Sequence, residues 1–335
     1  MADLTDGMDK HILYELDADA RQPFSRIAKK LRTSQQVVDY RVGRMLDEGV
    51  IRGFVTLMEF GRMGYAFNAL LMRLQNADNR KIEEISRFLA RRERVGVIFR
   101  HTGKWDLQVG LNTCDVFNLN EEVLEIEDRY SGYIRESIKG SHFGRTYFAR
   151  DYLVDEKYRV PRRVAPITGG KAEVRGFEEV ELALLALLDQ DARMPAAKMA
   201  EKVGVSPDTA LQKIRRLKED GVIVGTLLWL NPEAVGRSYY RLIVKLRALT
   251  KQREAELYSF LANTPCVWGA IKVFGAWDMS LELEVGSAEE LNAFVLELRN
   301  RFSGVIIDYD VLACYGTDKF TVFPHDLRPA WLKRA

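Results

Sequence analysis

The stretch TSQQVVDYRVGRMLDEGVIRGF, residues 33–54, returns in altered form as VSPDTALQKIRRLKEDGVIVGT, residues 205–226. In each copy a serine, Ser34 or Ser206, stands where a helix N-cap is wanted. Its hydroxyl oxygen satisfies a backbone N–H that the first helical turn leaves free. Apolar residues follow at spacings of three and four: Val38, Val42, Met45 and Leu46 in the first copy, Ala210, Ile214 and Leu217 in the second. That spacing predicts a helix with one buried and one free face. The free face carries Arg41 and Arg44, then Lys213 and Arg216. Gly49 and Gly221 suit a helix end at positive φ, and Val50-Ile51 and Val222-Ile223 open a β segment. A recognition helix running into a wing is the expectation in both places.

The repetition extends far beyond this stretch. LDADAR at residues 16–21 reappears as LDQDAR at residues 188–193, an offset of 188 − 16 = 172. The same shift carries Pro23 to Pro195, Gly49 to Gly221, Gly64 to Gly236, Gly103 to Gly275, Asp106 to Asp278 and Gly144 to Gly316. One offset held across so many turn residues means two tandem copies of a module of roughly domain size.

The first part of each copy holds three short helical patterns. Met8, Ile12, Leu13 and Leu16 match Val180, Leu184, Leu185 and Leu188, while Phe24, Ile27, Ala28 and Leu31 match Ala196, Met199, Ala200 and Val203. With the stretches quoted above and their β segments they make a winged helix-turn-helix. The second part of the first copy changes period. Strand patterns at residues 67–74, 95–100, 105–111 and 133–138 alternate with helical ones at 82–89 and 117–130, and the second copy repeats the order β-α-β-β-α-β. The expected fold class is α+β: two tandem copies of a winged helix-turn-helix plus a ferredoxin-like sheet module with both helices on one face. The boundaries expected are 1–60 and 61–154 for the first copy, a linker at 155–175, then 176–232 and 233–325 for the second, and a tail at 326–335. The linker is rich in proline, glycine and basic residues, among them Pro161, Arg162, Arg163, Pro166, Gly170 and Lys171.

Composition narrows the function classes. A chain of 335 residues, 47% hydrophobic and 29% charged, is an ordinary globular protein, and its net charge of +2 gives no global attraction to nucleic acid or membrane. Three scattered cysteines make neither a disulfide framework nor a zinc site and fit a reducing compartment, where they read as small buried apolar residues. No apolar run reaches membrane-spanning length, and the polar start carries no secretion signal, so a cytoplasmic location is expected. No nucleotide fingerprint, metal-ligand cluster or nucleophile signature is present, and no catalytic residue, metal or cofactor is expected. His142 and His101 map onto Cys314 and Val273, which argues against a duplicated histidine centre.

Local charge points to double-stranded DNA. Residues 21–46 hold Arg21, Arg26, Lys29, Lys30, Arg32, Arg41 and Arg44 against one acid, Asp39. Residues 193–216 hold Arg193, Lys198, Lys202, Lys213, Arg215 and Arg216 against Glu201 and Asp208. Such clusters bind phosphate, while base reading falls to side chains near the recognition-helix N-terminus. The expected DNA-contacting set is Ser34, Gln35, Gln36, Asp39, Tyr40, Arg41 and Arg44, with Ser206, Asp208, Thr209, Gln212, Lys213 and Arg216 in the second copy. The two sets differ in chemistry, so an asymmetric DNA site is expected. In the sheet modules Gly103-Lys104-Trp105-Asp106 repeats as Gly275-Ala276-Trp277-Asp278. Residue chemistry alone favours hairpin geometry and a buried tryptophan there.

The pattern SxxxxxxRxxRxxxxGVIxG, preceded by LDxDAR and followed by a β-α-β-β-α-β module with Gly-x-Trp-Asp, resembles the leucine-responsive and asparagine-synthase regulator (Lrp/AsnC) family. The likeness implies a DNA-binding transcription regulator whose sheet modules pair face to face, and higher assemblies that bind a small effector such as an amino acid. It makes Gly103, Asp106, Gly275 and Asp278 the candidate effector-loop residues. Duplication implies an intramolecular pseudo-dimer, with further homo-oligomers as in the family. The runner-up resemblance is to fused sirohaem decarboxylases, which hold a tetrapyrrole; the third reading is an effector-free architectural DNA protein.

Overall fold

The computed structural model describes residues 4–159, 168–169, 172–247 and 249–333. Pro161, Arg162, Arg163, Pro166, Gly170 and Lys171 of the expected linker, and Arg334 and Ala335 of the tail, lie outside these residues. The first copy runs α1 (Gly7–Ala18), α2 (Phe24–Leu31), α3 (Gln35–Asp47), β1 (Ile51–Met58), β2 (Ala66–Leu74), α4 (Asn79–Ala90), β3 (Val95–Thr102), β4 (Leu107–Thr113), α5 (Val116–Arg129) and β5 (Ile134–Tyr147). The second runs α6 (Glu179–Gln190), α7 (Ala196–Val203), α8 (Pro207–Glu219), β6 (Ile223–Leu230), β7 (Ser238–Leu246), α9 (Lys251–Ala262), β8 (Val267–Gly275), β9 (Met279–Val285), α10 (Ala288–Arg301) and β10 (Ile306–Phe320), with a final turn α11 (Ala330–Lys333). The duplicated order read from the sequence is the order observed.

The two sheets close on one another. The strand order β10-β3-β4-β2-β5-β8-β9-β7 is a closed barrel, and closure removes the sheet edges that otherwise invite aggregation. The joints are made by β5 and β10; β5 runs well past the short strand expected at 133–138, and β10 is of similar length. The first part of β5 pairs with β2, from Leu74↔Ile134 to Phe67↔His142; its later part pairs with β8, from Gly140↔Gly275 to Tyr147↔Gly269. β10 does the same between β7 and β3. Ala69, Leu71, Trp105, Ile243, Ile271, Val273, Trp277 and Leu312 fill the interior between the sheets. The outer faces bury α4 and α5 on one module and α9 and α10 on the other. Of the cysteines, Cys266 is buried as expected, but Cys114 is exposed.

The β segments expected as wings form no hairpin within their own heads. β1 and β6 pair with each other, antiparallel, from Ile51↔Leu230 to Met58↔Ile223. The ribbon therefore crosses from one copy to the other. Leu228, Leu230, Ala234 and Val235 of the second copy join Ile12, Leu13, Ile27 and Met45 in the core of the first head. Met58 and Met63 of the first copy join Leu184, Leu187, Ile214 and Leu217 in the second head. The expected boundaries at residues 60 and 232 thus cut through shared cores. Residues after the barrel also return to the heads: Leu153 and Val154 pack in the first, Phe323 and Leu332 in the second. The C-terminal segment is docked on the second head through Phe323, Leu327 and Leu332.

Candidate nucleic-acid interface

Each head presents its third helix outward through local chemistry. Ser34 Oγ accepts from Val37 N at 3.2 Å and Ser206 Oγ from Thr209 N at 3.1 Å, so both predicted caps are made. The Thr209 hydroxyl shares a 2.8 Å hydrogen bond with the same serine and is spent on the cap. The turn before α3 places Arg32 at φ +53°, where the second copy has Gly204 at φ +76°. Val38, Val42 and Met45 face inward, as do Ala210, Ile214 and Leu217. Leu46, expected inside, is exposed. Gln35, Gln36, Asp39 and Tyr40 face solvent, as do Asp208 and Gln212. Tyr40 is 73% exposed, an aromatic ring that nothing in the fold covers.

The cations are arranged differently from the sequence expectation. Arg41 and Arg44 do not stand free on α3. Arg41 Nη1 lies 2.7 Å from Asp6 and 2.8 Å from the buried Asp9, and Arg44 Nη2 lies 2.5 Å from Asp9. The Arg41 guanidinium holds the Asp6 carboxyl below its usual range. A buried carboxylate needs cationic partners, so α1 takes both arginines. In the second head Lys213 repeats the Arg41 pairing, 2.8 Å from Glu178. Glu181, the counterpart of Asp9, is taken by Arg175 at 2.5 Å, and Arg216 is released. Arg216 is 69% exposed, with Asp220 3.9 Å away, a solvated contact that binds it weakly.

The arginines of the LDxDAR motif serve a structural purpose. Arg21 Nη1 donates to Ala192 O at 2.5 Å, and Arg193 Nη1 donates to Ala20 O at 2.6 Å and Gln22 O at 3.1 Å. Ala20 and Ala192 are equivalent by the 172-residue shift, so each head grips the other reciprocally. Arg193 also stacks over the Phe24 ring at 4.1 Å. Lys30 pairs with Glu15. What remains exposed, with no ion-pair partner among the described residues, is Arg26, Lys29 and Arg32 on the first head and Lys198, Lys202 and Arg215 on the second. All six belong to the basic clusters of the sequence, and packing separates them from the engaged cations.

The candidate effector loops lie at two different barrel joints. A Cβ on Gly103, at φ +126°, would sit 2.6 Å from Val311 O on β10; a Cβ on Gly275 would collide with Lys139 O on β5. Asp106 accepts from Leu74 N at 2.6 Å, and Asp278 accepts from Leu246 N at 2.8 Å with Lys245 Nζ 3.2 Å away. The tryptophans are buried: Trp105 Nε1 donates to Asp310 at 3.2 Å and Trp277 Nε1 to Ser280 at 2.9 Å. These four positions do not converge on one site. Asp106 ties the β3–β4 hairpin to β2, and Asp278 ties the β8–β9 hairpin to β7.

Comparison with known proteins adds three findings. Residues 6–46 match the AsnC-type helix-turn-helix domain, and residues 177–224 match a winged helix-turn-helix DNA-binding domain. The HTH-type transcriptional regulator AldR of Mycolicibacterium smegmatis is 30% identical over 152 residues, 45% of this chain and 84% of that protein. An uncharacterised HTH-type transcriptional regulator of Pyrococcus furiosus is 34% identical over 104 residues, 31% of this chain and 69% of that protein. The crystal structure of the sirohaem decarboxylase NirDL aligns over 98% of both chains with a TM-score of 0.61 at 14% identity, a likeness of fold alone.

Proposed function

We propose, from the premise that this chain belongs to the Lrp/AsnC family of transcription regulators, that it is a sequence-specific DNA-binding regulator in which one polypeptide supplies both reading heads. The observation that carries this is the pair of capped, outward-facing third helices held in fixed relation by the reciprocal Arg21 and Arg193 contacts. Arg26, Lys29, Arg32, Lys198, Lys202, Arg215 and Arg216 hold phosphates. Gln35, Gln36, Asp39 and Tyr40 meet base edges from one head, and Asp208 and Gln212 from the other. Glutamine pairs bidentately with adenine, whereas an aspartate accepts from cytosine. Two such different readers select an asymmetric duplex, and the cytoplasm is where a protein of this kind meets its DNA.

Selection from a random duplex pool with the full chain tests this. The expected product is one asymmetric sequence whose two halves differ in base composition. Recovery of a perfect palindrome, or of no sequence above background, contradicts it.

The whole-chain fold match supports a second reading, a tetrapyrrole-binding decarboxylase. That reading requires a change in the Soret band on titration with an iron tetrapyrrole. An amino-acid effector at the Gly-x-Trp-Asp loops would share Asp106 and Asp278 with the backbone groups they already bind.

A further inference from the structure

The β1/β6 ribbon roofs a cavity of about 220 Å³ over the barrel strands β2, β5 and β10. Its walls are aromatic. Phe60 stacks on Phe67 at 6.4 Å, Phe67 lies 5.1 Å from the His142 ring, and Trp229 stacks on Phe320 at 4.7 Å. Arg145 and His142, both on β5, line the same space.

These two polar side chains lack the partners that the rest of the interior provides. The fully buried arginines have carboxylates: Arg150 holds Asp17 and Glu284, and Arg241 holds Glu282 at 2.7 Å. Arg145 has no such partner among the described residues. Its Nη1 donates only to Tyr147 Oη, at 2.9 Å, and the acid that acts on it from a distance, Glu282, is taken by Arg241. The carboxylate on the cavity wall, Glu59, is engaged by the backbone N–H groups of Gly61 and Gly169. His142 Nε2 is buried without a hydrogen-bond partner. Burial and the positive charges of Arg145 and Arg241 keep this imidazole neutral. A half-buried cation with no counter-ion among the described residues, beside an orphaned ring nitrogen, is a pair that an anionic group would complete.

From this geometry we infer that the cavity is a binding site for a small planar carboxylate, with its ring system among Phe60, Phe67, Trp229 and Phe320 and its carboxylate on Arg145. His142 donates from Nε2 to the second oxygen. The volume falls below the roughly 300–1,000 Å³ usual for drug-sized ligands, which suits one or two fused rings better than a tetrapyrrole. Among the described residues the second copy does not repeat these side chains. By the 172-residue shift, the counterparts of Phe67, His142 and Arg145 are Tyr239, Cys314 and Thr317.

Resting on the regulator reading, this site is an effector site because of what forms its roof. Met58 and Leu228 both line the cavity, and they also belong to the cores of the second and first heads respectively. A ligand that shifts either residue moves a head.

The test is calorimetric titration of the full chain with 1-naphthoate, alongside 1-naphthylmethanol, which has the same rings without the charge. Naphthoate is expected to bind one per chain, and the alcohol at least about tenfold more weakly. The variant Arg145→Met is expected to lose about 10- to 100-fold in naphthoate affinity, the scale of one charge-assisted hydrogen bond. Arg145→Lys recovers part of it, and thermal melting of each variant separates lost binding from lost folding. Equal naphthoate affinity in wild type and a folded Arg145→Met overturns the proposal, as does the absence of naphthoate binding. So does uroporphyrin that displaces naphthoate and binds more tightly, since the ligand would then be a tetrapyrrole. Titration without DNA tests the site, and DNA binding without naphthoate tests the regulator reading, so the two fail separately.

Discussion

Replacing Arg150 by alanine lowers the stability of the chain by about 3–5 kcal/mol, the cost of leaving buried carboxylates without their cation. Arg150 is among the largest fully enclosed side chains. Its Nη1 lies 2.5 Å from Asp17 on α1, its Nε and Nη2 lie 2.8 and 3.0 Å from the two oxygens of Glu284 on β9, and Nη1 also reaches Leu228 O on the ribbon at 3.3 Å. One guanidinium thus joins the first head, the ribbon and the second sheet module. Burial already raises the Asp17 carboxyl above its ordinary value despite the arginine. Without Arg150 that shift grows, and the sign of its pH dependence follows. A carboxyl raised in the folded state stabilises while protonated, below its unfolded value, and the gain disappears as pH rises through the folded value. Urea denaturation is therefore expected to show a smaller deficit for Arg150→Ala at pH 5 than at pH 8. A deficit under about 1 kcal/mol at both pH values contradicts the clamp.

Replacing Arg215 and Arg216 together by alanine weakens binding to a selected duplex on the order of tenfold or more near physiological salt. It also flattens the slope of log affinity against log salt by about 1.8, or about 0.9 per phosphate neutralised. The paired change Arg41→Ala with Arg44→Ala is expected to leave that slope nearly intact, because Asp9 and Asp6 neutralise those two arginines. It destabilises the first head instead, since Asp9 is fully buried. Anisotropy titrations from 50 to 300 mM salt, with melting curves beside them, separate the two outcomes. Equal slope changes for both pairs would return Arg41 and Arg44 to the phosphate-contacting set.

What the sequence made legible was local and repetitive. The serine caps and the glycine stops follow from residues within a few positions of one another, the 172-residue register follows from repetition, and the caps and positive-φ glycines appear where expected. The crossing of the β1/β6 ribbon was not legible. Both strands have the composition of a wing, and which strand they pair with depends on the closure of the barrel. The extension of β5 through residues 139–147 was hidden for a related reason: a strand that changes partner midway does not show one clean alternation. Counting charges treats every arginine as solvated and so does not separate the paired Arg41 and Arg44 from the exposed Arg216. Asp9 and Glu181 are equivalent, yet one binds Arg44 and the other Arg175, a residue from the stretch read as a linker. A signal for the β5 cavity was present in the mapping of His142 onto Cys314. It weighs against a duplicated centre, and it also marks a polar pair, His142 and Arg145, that β5 carries and β10 does not.

Footprinting of one selected duplex by the full chain, with Gln36→Ala and Gln212→Ala side by side, tests the central claim that one polypeptide carries two unlike readers. The expected result is one chain per duplex, with Gln36→Ala losing protection over one half-site and Gln212→Ala over the other. Two chains per duplex with both variants weakening both halves equally, or no protection by the unaltered chain, would contradict it.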